Sequence, residues 1–156
     1  MLGTLWASGT ITPANPHYTE DELTFQLKDS GAKAIATIAE LLPVASRAAE
    51  NVGIPQDRVI LIGDNRHPRY QHWREIVDPS TVLKWKKTRI DPNKDLAFLV
   101  YSSGTTGRPK GVMLCHCNVG SNILQVLVGE GGNMTWDNDR IIAFLPFSHI
   151  YALTCG

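Results

Sequence analysis

The chain up to Gly63 alternates between amphipathic stretches that predict helices and apolar stretches that predict strands. Thr19 and Glu22 have the spacing of a capping box, which marks the start of a helix, and Gly31 marks its end. The pattern first predicts the tail of a helix and a short strand within 3–15, then a helix between Thr19 and Gly31. A strand over 32–38 and a helix over about 40–51 follow, with Pro43 in the first turn of that helix. The last element in this part is a buried parallel strand over 58–63. Helices that alternate with strands in this way indicate an α/β fold.

The alternation breaks over residues 64–93, where His, Pro, Arg and Trp are frequent and only a short helix near 73–77 is predicted. After this segment the pattern predicts a strand over 96–100, a strand over 111–116, a helix over 118–128 and a strand over 141–145. Four apolar residues of the helix predicted over 118–128 have the spacing of one helical face, and we predict that this face packs against the core. They are Val119, Ile123, Val126 and Leu127. The predicted fold class is α/β, a layered parallel or mixed sheet with flanking helices.

Length and charge exclude several classes of protein. The 156 residues suffice for one domain with a sizeable core. Because 15 basic residues balance 15 acidic ones, no net charge attracts nucleic acid or an anionic membrane. The basic run over 84–89 has the composition of a nucleic-acid patch, but in a neutral protein it fits a solvated linker better. No apolar run reaches the roughly 18–20 residues that span a bilayer. We therefore expect no nucleic-acid partner and no transmembrane segment.

The cysteines and the N-terminus indicate an intracellular protein, either cytoplasmic or peroxisomal. The three cysteines are an odd number without disulfide spacing, which favours a reducing compartment. Residues 1–14 lack the positive start and the apolar core of a secretory signal. The run Cys115-His116-Cys117 raises the alternative of a zinc site. Such a site needs about four ligands, and the sequence has no second cluster, so we predict buried or solvated thiols and no metal-binding residues.

The stretch over 101–112 carries the strongest chemical signal, with the letters Tyr-Ser-Ser-Gly-Thr-Thr-Gly-Arg-Pro-Lys-Gly-Val. Glycines let the backbone approach a ligand closely, and successive N–H groups in such a turn form a concavity suited to anions. Hydroxyl groups and the ammonium of Lys110 complete a set of donors for phosphate. From Ser102 to Gly111 every residue is a hydroxyl residue, a glycine, a proline or a cation. An ordinary surface turn, the alternative interpretation, requires only one or two such residues.

We therefore predict that this loop binds phosphate. It is not a Walker A element, because that pattern requires Gly-Lys followed by Ser or Thr. Here Lys110 follows Pro109 and precedes Gly111.

The same stretch closely resembles the signature of the adenylate-forming superfamily, which includes acyl- and aryl-CoA synthetases, firefly-type luciferases and the adenylation domains of peptide synthetases. Ser-Ser-Gly-Thr-Thr-Gly-x-Pro-Lys-Gly-Val matches that signature at every position. The resemblance implies that the loop holds the β- and γ-phosphates of ATP, which Mg²⁺ bridges, while the catalytic Lys110 neutralises charge on the departing pyrophosphate. The nucleotide-binding residues that it implies are Ser102, Ser103, Gly104, Thr105, Thr106, Gly107 and Lys110.

Two further segments resemble the same superfamily. Residues 144–151, Phe-Leu-Pro-Phe-Ser-His-Ile-Tyr, look like the family segment in which a strand ends in Leu-Pro before a histidine. This likeness implies that His149 and Tyr151 line the acyl or aryl pocket and that His149 takes part in catalysis. In the alternative interpretation, His149 caps a helix and Tyr151 lies in the core. Residues 12–19 look like the Asn-Pro-x-Tyr-Thr segment of coumarate-type CoA ligases.

The resemblance implies an ATP-dependent acyl- or aryl-CoA ligase. Such enzymes activate a carboxylate as an acyl-adenylate and then transfer the acyl group to the thiol of coenzyme A. The expected partners are a small-molecule carboxylate, ATP and coenzyme A. The sequence lacks the Tyr-Gly-x-Thr-Glu and Thr-Gly-Asp segments of the family and its C-terminal domain. We therefore expect residues 1–156 to be an incomplete part of the large N-terminal AMP-binding domain and to be inactive alone.

Two other functions stay open at this point. The first is an adenylation domain that loads a carrier protein, whose partner would be a phosphopantetheinyl domain. The second is a nucleotide-binding remnant without catalytic activity. Both keep the phosphate loop, and they differ from a CoA ligase in the chemistry after the nucleotide has bound.

Overall fold

The computed structural model describes residues 1–77, 88–102, 109–130, 137 and 140. These residues belong to two compact units, one formed by residues 1–15 with 87–156 and the other by residues 16–86. The predicted strand over 141–145 lies outside the described residues.

Apart from the unpredicted two-residue strand Gln71–His72, the described helices and strands follow the predicted order, and the short strand predicted within 3–15 is a single bridge at Ile11. The helices are α1 (Leu2–Trp6), α2 (Glu20–Asp29), α3 (Leu42–Asn51), α4 (Trp73–Ile76) and α5 (His116–Glu130). The strands are β1 (Ile35–Thr37), β2 (Val59–Leu61), β3 (Gln71–His72), β4 (Leu96–Ser102) and β5 (Lys110–Cys115). Short 3₁₀ turns precede α3 at Ala39–Leu41 and β2 at Gln56–Arg58.

The predicted capping box of α2 is confirmed. Glu22 N donates to Thr19 Oγ1 at 3.4 Å, and the Glu22 carboxylate accepts from both the backbone N–H and the hydroxyl of Thr19 at 2.8 Å. These bonds satisfy two backbone donors that a helix N-terminus otherwise leaves without partners. At the other end Gly31 has a φ of +63°, a left-handed conformation in which glycine carries no steric penalty.

The capping box predicts how Glu22 titrates. The backbone N–H of Thr19, and then its hydroxyl, hold the pKa of the Glu22 carboxyl below its ordinary value. Because the folded-state pKa is lowered, this stabilisation is present above the unfolded-state pKa and is lost as pH falls through the folded-state pKa. In an NMR titration of the full-length protein we expect Thr19→Ala to raise the pKa of Glu22 part of the way back, since the backbone donor remains.

The control for this titration is Thr10→Ala, because the Thr10 hydroxyl donates to Leu96 O at 3.2 Å in the other compact unit. It should leave the pKa of Glu22 unchanged. An unchanged Glu22 pKa in Thr19→Ala would contradict the role of the hydroxyl.

The unit formed by residues 16–86 contains a parallel sheet in the order β1-β2-β3. Helix α3 connects β1 to β2 and contacts both strands, as expected for a βαβ crossover. Its buried face consists of Leu42 and three alanines, whose small side chains allow close approach to the sheet. The predicted parallel strand is confirmed over Val59–Leu61, where Val59 and Leu61 are almost completely buried, but it is shorter than predicted, since Ile60 is half-buried and Ile62 lies outside it and is 48% exposed.

A buried histidine in β3 links this strand to Gly63, which lies shortly after β2. His72 is only 1% exposed, its Nε2 lies 2.9 Å from Gly63 O, and its Nδ1 accepts from the backbone N–H of Arg74 at 3.3 Å. Trp73 Nε1 also donates to Gly63 O, at 3.0 Å. With Nδ1 as the acceptor, His72 carries its proton on Nε2 and donates to that carbonyl. Strand β3 was not predicted, because two residues are too few to show a strand pattern.

The other unit contains the antiparallel hairpin of β4 and β5. Ile11 extends the pairing on the other edge of β4: its N–H donates to Ala97 O at 3.0 Å, and its carbonyl accepts from Leu99 N at 2.8 Å. Phe98, Ala97 and Val100 form the buried core, against which pack Leu5, Ile11, Leu114 and Val119. The predicted buried strand before the loop is confirmed, and it extends to Ser102.

Helix α5 starts at His116, two residues earlier than predicted. Its predicted core-facing stripe is only partly correct. Val119 packs against the hairpin core, but Ile123 is 42% and Leu127 is 63% exposed. Helical spacing identifies residues that share one face, and burial also requires a partner element along the whole of that face. Among the described residues, the predicted face of α5 contacts the hairpin core through Val119.

Candidate functional site

The predicted phosphate loop connects the two strands of the hairpin. Strands β4 and β5 are paired from Leu96↔Cys115 to Ser102↔Lys110, and residues 103–109 connect their ends. This pairing shows that the loop joins the two strands of an antiparallel hairpin, whereas its predicted phosphate-binding shape stays a prediction. Residues 103–108 lie outside the described residues, so the structure describes the base of the loop.

Two of the predicted nucleotide-binding residues form this base. Ser102 and Lys110 are cross-strand partners and are both exposed. Side chains at paired positions share one face of a hairpin, with Cβ atoms about 4.5–5.5 Å apart. The side chains of Ser102 and Lys110 therefore leave the backbone on the same face of the hairpin, where the loop leaves the sheet. This pair can donate hydrogen bonds to one anionic ligand.

The remaining predicted site residues lie outside the described residues. They are Ser103, Gly104, Thr105, Thr106 and Gly107 of the loop, together with His149 and Tyr151. Their roles stay predictions that rest on the sequence resemblance.

The sequence analysis did not identify the cross-strand pair next to Ser102 and Lys110, which is Tyr101↔Gly111. A β-carbon on Gly111 would lie 3.2 Å from Cζ and 3.3 Å from the hydroxyl oxygen of Tyr101, and 3.2 Å from Cδ1 of Leu99. The tyrosine ring therefore lies against the glycine backbone across the hairpin. The signal that could have found this contact is an aromatic residue opposite a glycine, which is visible only once the strand register is known.

The end of the hairpin opposite the loop is fixed by hydrogen bonds. Asn118 Oδ1 accepts from the backbone N–H of Cys115 at 3.0 Å and from its thiol at 2.8 Å. The backbone N–H of His116 donates to Asp95 O at 3.3 Å, and that of Cys117 donates to Pro92 O at 2.7 Å. The bonds of Asn118 tie the end of β5 to α5, and the other two tie the start of α5 to the turn that precedes β4. The hairpin therefore has one anchored end and one end that carries the loop.

Cys115 and Cys117 are free thiols. Among the described residues there is no group of three or more His, Cys, Asp or Glu side chains that could hold a metal ion. In the same part of the chain, no helix has both the length and the apolar character needed to cross a membrane.

Comparison with known proteins identifies the family. A family model described as AMP-binding enzyme matches residues 1–156. The chain belongs to this family. The match confirms the resemblance to adenylate-forming enzymes that the loop and the two other segments predicted.

Curated relatives of this AMP-binding chain include CoA ligases. It is 30% identical to a long-chain-fatty-acid–CoA ligase of Bacillus subtilis, over 97% of this chain and 31% of that protein. It is 35% identical to 4-coumarate–CoA ligase 4 of Arabidopsis thaliana, over 98% of this chain and 27% of that protein. The chain thus spans less than a third of the length of these relatives.

A solved structure confirms the fold. ATP-bound MatB from Rhodopseudomonas palustris matches with a TM-score of 0.73 and 30% identity, over 98% of this chain and 28% of that chain. The predicted α/β class, with parallel strands and flanking helices, is therefore correct for this AMP-binding chain.

Proposed function

We propose that the full-length protein carrying this sequence is an ATP-dependent acyl- or aryl-CoA ligase. The observation that carries the proposal is the pairing of Ser102 with Lys110 at the base of a loop that has the complete adenylate-forming signature. Membership of the AMP-binding family and the similarity to proteins named as CoA ligases support it. The proposed substrates are a small-molecule carboxylate, ATP and coenzyme A.

In the proposed reaction a carboxylate oxygen attacks the α-phosphorus of ATP, and pyrophosphate leaves. The thiol of coenzyme A then attacks the acyl carbon, AMP leaves, and the thiol proton passes to solvent. The hairpin contributes to the first step. The Lys110 ammonium and the loop donors stabilise the charge that develops on pyrophosphate as the bond to the α-phosphate breaks.

Three further assignments belong to this proposal and rest on the sequence resemblance. Mg²⁺ would accompany the nucleotide and would supply positive charge that offsets the charge of its phosphates, since hard cations of this kind favour oxygen ligands. His149 and Tyr151 line the pocket for the acyl or aryl group. Residues 1–156 form part of a larger AMP-binding domain.

The test is carboxylate-dependent exchange of pyrophosphate into ATP by the full-length protein, measured over a panel of aryl and fatty acids. We expect exchange with at least one acid and, after addition of coenzyme A, the corresponding thioester. Thioester formation on a phosphopantetheinyl carrier protein but not on coenzyme A would favour the carrier-loading alternative. Binding of ATP without exchange for any acid would favour the non-catalytic alternative.

A further inference from the structure

The hairpin next to the loop is held by an unusual pair of residues. Gly111 has no side chain with which to pack across the strands, and glycine within a strand ordinarily weakens the pairing. Tyr101 lies opposite it, with its ring and hydroxyl within 3.3 Å of the place where a β-carbon would be. An aromatic side chain that covers a cross-strand glycine is a known device for fixing register in antiparallel sheets.

This contact lies one residue from both ends of the loop. Tyr101 precedes Ser102, and Gly111 follows Lys110. The twist of the strands at the Tyr101↔Gly111 pair therefore sets the directions in which the Ser102 and Lys110 side chains leave the backbone. Tyr101 itself projects from the opposite face, because successive side chains of a strand alternate. Its packing on Gly111 can therefore act on a ligand of the loop through the backbone of Ser102 and Lys110.

We propose that Tyr101 is a positioning residue for nucleotide binding: by packing on Gly111 it aligns Ser102 and Lys110 with the phosphates of ATP. This inference rests on the proposed function of the loop. It favours glycine at 111, because a β-carbon there would lie 3.2 Å from Cζ and 3.3 Å from the hydroxyl oxygen of Tyr101 and would push this end of the side chain aside by a few tenths of an ångström.

The experiment measures the Kd for ATP and the number of sites per chain, by equilibrium dialysis of the full-length protein. Tyr101→Ala should raise the Kd for ATP about tenfold, since it misaligns Lys110, whose charge-assisted hydrogen bond accounts for about 10–100-fold in Kd. Tyr101→Phe keeps the ring and should stay within about twofold of wild type. Gly111→Ala crowds the same contact by only a few tenths of an ångström and should raise the Kd by less than Tyr101→Ala does. The double variant should bind no more weakly than Tyr101→Ala, because both changes act on the same contact.

The matched control is Gly120→Ala in α5, where a β-carbon would meet no atom within 4 Å. It should leave the Kd unchanged. If Tyr101 only stabilised the fold, Tyr101→Ala would have fewer ATP sites per chain or a lower melting temperature, and its remaining sites would bind ATP with the wild-type Kd. That result, or additive effects in the double variant, would overturn the inference.

Failure of the inference can be told apart from failure of the proposed function. If wild type binds ATP but supports no exchange with any carboxylate, the ligase proposal fails and the Kd series still decides the role of Tyr101. If wild type exchanges normally and Tyr101→Ala binds ATP as wild type does, only the positioning role is overturned. If wild type does not bind ATP, both are overturned.

Discussion

Lys110→Ala in the full-length protein should lower carboxylate-dependent exchange of pyrophosphate into ATP by about 10²–10³-fold, a loss typical of removing one group that stabilises transition-state charge. Lys110 is exposed at the first position of β5, so the substitution removes no core contact. The melting temperature should therefore stay close to that of wild type. The measurements are the exchange rate at saturating substrates and a thermal unfolding curve for each variant.

Lys94→Ala is the matched control for this experiment. Lys94 belongs to the same compact unit, is exposed, and forms a surface ion pair with Asp91 at 3.7 Å. Such pairs contribute about 0–1 kcal/mol to stability, and this one lies in the turn before β4, away from the loop. Exchange by Lys94→Ala should equal that of wild type. Equal losses in both variants would show a general effect of removing surface charge and would contradict a specific role for Lys110.

Phe98→Ala should destabilise the strand that leads to the loop by about 3–5 kcal/mol, the usual cost of truncating a buried aromatic residue. Phe98 is 6% exposed, belongs to the buried cluster of its unit, and pairs with Ile11. Loss of its ring leaves a cavity in this cluster. In hydrogen–deuterium exchange of the full-length protein, amides of β4 should exchange about 10²–10⁴-fold faster than in wild type.

Met113→Ala tests whether this effect is specific to the core. Met113 belongs to the same hairpin but is 69% exposed, so truncation should change stability by no more than about 0.5 kcal/mol. Protection of β4 should then stay near the wild-type level. Similar protection in Phe98→Ala and in wild type would contradict the packing described for this hairpin.

The sequence predicted those elements whose boundaries are set by local chemistry. The capping box of Thr19 and Glu22 fixed the start of α2, and Gly31 followed its end. The continuous apolar run of β2 indicated a buried parallel strand, because strands covered on both faces need no polar alternation. In each case the residues that determine the structure are close neighbours in the chain.

Features that depend on distant contacts were not predictable in this way. Strand β3 has two residues and exists because it pairs with β2, and the buried imidazole of His72 is satisfied by Gly63 O, nine residues earlier in the chain. The exposure of Leu127 depends on what covers α5, which periodicity does not show.

The candidate site shows the same division. The composition of the loop predicted phosphate binding, and the signature predicted the family. Strand register was needed to place Ser102 opposite Lys110 and to reveal Tyr101 packed on Gly111. The assignments to His149 and to the loop residues between the strands stay predictions.

The most direct test of phosphate binding by the hairpin loop compares the affinities of wild type and Lys110→Ala for ATP and for AMP, by equilibrium dialysis of the full-length protein. A lysine that contacts the β- or γ-phosphate makes a charge-assisted hydrogen bond worth about 1.5–3 kcal/mol, or about 10–100-fold in Kd. We expect Lys110→Ala to weaken ATP binding by that factor and to leave AMP binding within about twofold of wild type. Equal affinity of both proteins for ATP, or equal weakening for ATP and AMP, would contradict the account.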